Sequence, residues 1–216
     1  MAVAATTRAR AGTVRRVFLL SPARVDGKRA GYMLNPAARF ALARRFWSEG
    51  LPLADVFTFT SGLYFRGKIT YARAFASGDA GDVVRVITSN TGLADPSRHL
   101  TPDDLRAFGG VPIDPADARY HEPLQRDARA LARRLADDGV AILLGSIASA
   151  KYRDVLLDCF GDRLVFPSAF VGRGDMSRGG LLLRAASAGV ELEYAVVAGA
   201  VVRGKRPPRL GPLPPR

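Results

Sequence analysis

The sequence predicts one α/β domain in three layers, a mainly parallel, doubly wound sheet with helices on both faces. Three observations lead there. Short apolar, β-branched runs alternate with amphipathic helical patterns, as strand–helix–strand crossovers require. The most apolar run, residues 140–144, shows no polar alternation, as expected of a strand buried on both faces. The length, 216 residues, suits a single domain whose core needs no disulfide or metal.

The elements follow in chain order. Residues 16–20 read as a buried strand, and Pro36 as the opening of a helix whose Phe40, Ala43, Phe46 and Trp47 keep a helical period. Residues 55–60 read as a second strand, followed by a helix over about 63–76, and residues 83–88 as a third strand. A loop-rich stretch with a short helix after Thr101 leads to a long helix from about Glu122 to Asp137, striped by Leu124, Ala128, Leu131 and Leu135. After the central strand at 140–144 come a helix over 147–159, a strand at 163–166, a helix at 178–187 and an edge strand within 191–197.

The net charge of +12 is concentrated at the ends. Arg8, Arg10, Arg15 and Arg16 at the start, and Arg203, Lys205, Arg206, Arg209 and Arg216 at the finish, have no acid among them and leave only +3 for the body. Residues 1–15 are therefore expected to be a flexible basic arm, 16–202 the domain, and 203–216 a Pro- and Arg-rich disordered tail. Such tails give salt-dependent, non-specific attraction to phosphates or act as solvated ends. No apolar run approaches a membrane span and no secretory core follows the first arginines, so a cytoplasmic protein without a membrane partner is expected.

Several chemistries are argued against. One cysteine, Cys159, and two separated histidines, His99 and His121, do not make a zinc site, and no metal is expected. Cys159 sits beside Leu156 and Phe160 and reads as a core thiol. The P-loop spacing, the dinucleotide fingerprint and the Gly-x-Ser-x-Gly elbow are all missing. No cofactor is identified.

In a doubly wound sheet ligands bind beyond the carboxyl ends of the strands, so the strand exits hold the candidate site. They are Ser21-Pro22, then Thr60-Ser61-Gly62 with Tyr64, Phe65, Arg66 and Lys68, then residues 88–92, then Gly145-Ser146 through Ser149 to Lys151, and lastly residues 172–180. Small residues let a ligand approach the backbone, and hydroxyls with helix-terminal N–H groups hold oxyanions or polar heterocycles; the same residues also make ordinary turns and caps. The expected ligand contacts are Ser61, Arg66, Lys68, Ser89, Asn90, Gly92, Gly145, Ser146, Ser149, Lys151, Arg173 and Arg178. Asp175 is the expected acid, base or water-orienting carboxylate, with Ser177 beside it and His121, in the loop before the long helix, as a further acid–base candidate; Glu122 next to it reads as that helix's N-terminal cap. Tyr64 and Phe65 either stack a base or pack into the core.

The succession of Ser21-Pro22, residues 63–68 (LYFRGK) and residues 87–96 (ITSNTGLADP) resembles a group of prokaryotic domains. That group includes the central domain of archaeosine synthase and small stand-alone bacterial proteins, and is similar in fold to uracil-DNA glycosylases. The resemblance spans about residues 15–188 and implies a three-layer α/β/α fold and a nucleobase or nucleotide ligand. It departs in the first turn, where the group carries a Cys-containing or Ser/Lys-rich loop and this chain has Ser21-Pro22-Ala23, and no glycosylase catalytic motif accompanies it. The expected function is a nucleotide- or nucleobase-related enzyme, glycosylase-like or base-modifying. The alternative is a non-catalytic module binding nucleic acid or nucleotide with its basic tails, and a small carboxylate or phosphate metabolite is a third possible ligand.

Overall fold

The computed structural model describes residues 13–78, 81–208 and 210–211. Its order is β1 (Val14–Leu20), α1 (Lys28–Leu34), α2 (Ala41–Glu49), β2 (Leu51–Pro52), α3 (Leu53–Ser61), α4 (Leu63–Phe75), β3 (Val83–Ile87), β4 (Leu93–Ala94), β5 (His99–Leu100) and α5 (Pro102–Gly109). Then follow α6 (Ala118–Arg134), β6 (Leu135–Leu144), α7 (Ala150–Phe160), β7 (Leu164–Pro167), α8 (Asp175–Ala188) and β8 (Tyr194–Val196).

The main sheet runs β4-β3-β1-β6-β7-β8. Its four inner strands are parallel, with Phe18 opposite Val84 on one side and Ile142 on the other; β4 and β8 close the edges antiparallel. Residues 17–20 and 141–144 are wholly buried. An apolar run buried on both faces demands cover on both. Helices α4 and α8 pack together on one side, and α6 with α7 form a second pair, giving an α/β fold of three layers.

One strand expectation is corrected. Residues 55–60 form the interior of α3, not a strand. Their β-branched and aromatic content favours a strand locally, but Leu53, Ala54, Val56 and Phe57 are the buried set, a helical spacing. Pro52 precedes the helix and Gly62 ends it. Pro36 likewise opens no helix: Asn35 Oδ1 accepts the Ala37 N–H at 2.9 Å, which turns the chain between α1 and α2, and α2 starts at Ala41. The long helix begins a turn earlier than expected, because Asp117 caps it by accepting the Arg119 N–H at 3.0 Å. His121 is therefore helical and Glu122 is not the cap. Asp175 and Ser177 open α8 instead of preceding it. Cys159 is half-buried at the α6–α7 seam, its Sγ 3.9 Å from the Gln125 carbonyl.

Two features hold the layers in place. At the amino end of β1 the Arg16 guanidinium donates to Asp82 at 3.1 Å, to both Glu191 oxygens at 3.0 Å and to the Phe75 carbonyl. These carboxylates hold the Arg16 pKa above its usual value despite burial, which acts the other way. On the helical layer α4 crosses α8 glycine on glycine: a Cβ on Gly67 would lie 2.6 Å from the Gly179 carbonyl oxygen, and one on Gly179 2.8 Å from Tyr64 Cα. Part of the glycine density at 172–180 is thus helix packing. Beyond β8, Arg173 donates to the Pro208 carbonyl at 3.3 Å and Arg184 to that of Gly211, so this stretch runs back beside α8. Residues 1–12, 209 and 212–216 of the two basic ends, with Arg8, Arg10, Arg209 and Arg216, lie outside the described residues.

Candidate active site

From β1 the chain crosses to β3 on one side, and the later strand β6 pairs on the other. The connections therefore part between β1 and β6, and a crevice opens beyond their carboxyl ends. A cleft of about 950 Å³ lies there. Its lining comes from the β1 exit (residues 21–26), Ser89 after β3, Ser146, Ser149, Lys151 and Tyr152 after β6, Phe57 and Ser61 of α3, Tyr64 of α4, Asp175 of α8 and the stretch 108–114. Phe57, Phe108, Val111, Pro112 and Ile113 give it apolar walls, and five serines with Arg24, Asp26, Asp114, Lys151 and Asp175 supply polar lining.

Several of these serines also hold the rim together. Ser61 Oγ accepts the Arg24 N–H at 3.2 Å, tying the end of α3 to the β1 exit. Ser89 Oγ donates to the Phe108 carbonyl at 2.7 Å and joins β3 to α5. Tyr152 Oη accepts the Ser146 N–H at 2.9 Å and donates to its carbonyl at 3.1 Å, closing the turn after β6. Ser149 is the N-cap of α7, yet its side chain makes no cap bond, and Lys151 is exposed one residue into that helix.

Beneath the cleft lies the most unusual side chain. Lys68, on the sheet-facing side of α4, is 1% exposed. Its Nζ donates to the Ser21 carbonyl at 2.6 Å and lies 2.9 Å from Ser21 Oγ. The Tyr64 and Phe65 rings flank it, their centroids 4.6 and 5.0 Å away. No carboxylate among the described residues pairs with it. Desolvation pushes its pKa down to about 7, against a smaller upward pull from Asp175. A buried ammonium without a counter-ion is costly, so near neutral pH the amine and ammonium forms are both populated.

Around this pair stand three further groups. Tyr64 Oη is buried without a hydrogen bond, and burial raises its pKa. Asp175, mostly exposed, lines the cleft and accepts from Arg178 Nη1 at 3.3 Å. Arg178 is buried, with Nε donating to the Phe170 carbonyl at 3.3 Å. Gly145 has no room for a side chain, because a Cβ there would meet Ser21 Cβ at 2.8 Å and Tyr152 Oη at 3.0 Å. That close approach brings the β1 and β6 exits together.

The expected site residues divide accordingly. Ser61, Ser89, Ser146, Ser149, Lys151 and Asp175 line the cleft, Lys68 and Gly145 lie under its floor, and Arg178 is behind Asp175. The others are not in its lining. Ser177 accepts from Arg173, whose guanidinium also donates to the Ala169 and Pro208 carbonyls. Arg66 is exposed on α4 and Gly92 packs against Pro123 and Asp127. Asn90 Oδ1 is buried without a partner, and His121 sits in the first turns of α6. Ser21 and Tyr64 stand on the expected rim but not among the expected ligand contacts or acid–base groups, and Tyr152 is not singled out by the sequence. For Ser21 the signal was its place directly after the first strand; for Tyr64 it was the i, i+4 spacing to Lys68. Comparison with protein-family models, curated proteins and solved structures gives no match.

Proposed function

We propose that the protein is an enzyme acting on a nucleobase or nucleotide held in the cleft between the β1 and β6 exits. The observation that carries this reading is the cleft's composition over a polar, buried centre. Apolar and aromatic walls suit a flat ring, while serine hydroxyls and Asp175 suit its exocyclic donors and acceptors. The first turn of α7, with its uncapped N–H groups and Lys151, suits a phosphate. Asp175, oriented by Arg178, is the group that would hydrogen-bond a ring N–H or orient water. Lys68 under the floor is a proton donor or acceptor poised near neutrality, which a passive binding module does not need.

The test is a thermal-shift screen of the full-length protein against nucleobases, nucleosides, nucleoside monophosphates and common phosphate or carboxylate metabolites. A ligand present at 100 times its Kd stabilises by about 2.7 kcal/mol, a readable shift. A nucleotide or nucleobase hit that is weakened in Asp175→Asn and Lys151→Ala supports the reading. A protein that ignores every free ligand yet binds DNA or RNA only in low salt is a nucleic-acid-binding module acting through its basic ends, and the enzyme reading fails.

A further inference from the structure

We propose that Ser21 is a nucleophile and Lys68 its proton acceptor, a serine–lysine pair that attacks the acyl carbon of an ester or amide carried by the ligand in the cleft. The inference rests on the reading of the cleft as an enzyme site, but the pair has its own grounds. Ser21 lines the cleft. Lys68 does not; it reaches Ser21 from below, and its hydrogen bonds go to Ser21 alone. A buried lysine whose contacts are a serine and two aromatic rings has no packing task that a methionine could not perform. Its placement does suit one chemical task, holding and accepting the Ser21 proton.

The geometry divides the roles. The ammonium donates to both the Ser21 carbonyl and Oγ; in the neutral amine one N–H can keep the carbonyl while the lone pair accepts the Oγ–H, with Tyr152 as a second hydrogen-bond partner of Ser21. As Oγ bonds to the acyl carbon, its proton passes to Nζ and the carbonyl π pair moves onto oxygen. Tyr64 Oη, buried, unpaired and in the lining, is the donor for that oxyanion. Collapse breaks the bond from the acyl carbon to the leaving group, which takes the proton from Nζ. Water then attacks the acyl–Ser21 ester, gives its proton to Nζ, and Ser21 Oγ recovers it on departure. The net reaction is hydrolysis of one ester or amide, with Ser21 and Lys68 restored.

The charge that acts on Lys68 is Asp175 of α8; Tyr64 on its own helix touches it, Tyr152 of α7 and Arg178 of α8 act on Tyr64, and the exit of β1 contributes Ser21. Tyr64 and Tyr152 both hold their protons to higher pH than usual, chiefly through burial. Lys68 is thus the group whose state changes through neutral pH.

The experiment is covalent labelling of the full-length protein with a fluorophosphonate probe, read by peptide mass spectrometry between about pH 6 and 9.5. Ser21 Oγ displaces fluoride from phosphorus while Lys68 takes the proton. A single adduct on Ser21 is expected, forming faster as pH rises through the Lys68 transition. Ser21→Ala should take no label, and Lys68→Met, checked as folded by circular dichroism, should slow labelling at least about 100-fold and lose the pH step. Label on another residue, no label in the folded protein, or a rate unchanged in Lys68→Met would overturn the pair. Nucleotide binding by Ser21→Ala in the thermal-shift assay separates the two conclusions. Binding without labelling in the native protein removes the nucleophile and leaves the cleft reading, whereas labelling without any nucleotide response does the reverse.

Discussion

Replacing Lys68 with methionine keeps the length of the side chain and its place between the Tyr64 and Phe65 rings, and removes the amine. Methionine sulfur sits well against aromatic rings, and loss of a buried cation without a counter-ion relieves a desolvation cost. The size follows from linkage. Burial pushes the Lys68 pKa down to about 7, from the 10.5 of a lysine in water. Between these values the unfolded chain carries a proton that the folded protein lacks, so stability rises with pH through that window. From about pH 7.5 to 8.5 the gain is about 1 kcal/mol for this group. Tyr64 and Tyr194 act oppositely above about pH 10, because their protons are held more tightly in the fold than in the unfolded chain. Burial raises the Cys159 thiol likewise, which acts the same way from about pH 9, so urea unfolding at several pH values between about 7.5 and 8.5 isolates the lysine. The native protein should gain stability across the interval, and Lys68→Met should be more stable at neutral pH with a flat profile. A native profile already flat, or a variant destabilised by more than about 1 kcal/mol at neutral pH, would refute the account of Lys68 as an unpaired buried base.

Other expectations concern the scaffold that holds this centre. Gly145→Ala drives a methyl against Ser21 and Tyr152 and should cost about 1–3 kcal/mol; fluorophosphonate labelling of Ser21 in the folded variant should fall with it. Gly67→Ala meets backbone of α8, which cannot yield as a side chain tip does, and should lower thermal stability by about 2–4 kcal/mol while leaving circular dichroism at low temperature unchanged. Arg16→Met strands Asp82, which is 4% exposed, beside Glu191. A loss of about 2–3 kcal/mol in urea unfolding is expected.

The layer architecture was legible because β1 and β6 are apolar on both faces, and only a sheet covered twice buries such runs. Residues 55–60 misled because valine, phenylalanine and threonine favour strands locally, whereas the helical spacing of Leu53, Ala54, Val56 and Phe57 decides once the neighbouring layers are present. The rim was legible as a rim, since serine and glycine crowd the exits of β1, β3 and β6. Which exits converge was not, because that depends on strand order: β6 beside β1 brings Gly145 against Ser21, and nothing in the local sequence states it. The same holds for Lys68, an ordinary lysine in an amphipathic helix until the α4–α8 crossing and β1 enclose it. Ser177 and Arg173 stood out by density alone, and the structure engages them with each other and with the end of the chain.

Nuclear magnetic resonance titration of the nitrogen-labelled full-length protein with nucleoside monophosphates and free nucleobases shows whether the cleft over Ser21 and Lys68 is where ligands bind. Shifts are predicted in the amides of residues 21–26, Ser89, residues 146–152 and Asp175, which surround the cleft. Lys151→Ala should weaken a phosphorylated ligand by about 10-fold without moving the pattern. Perturbations confined to the basic ends, or spread without focus over the surface while these rim amides stay still, would contradict the account.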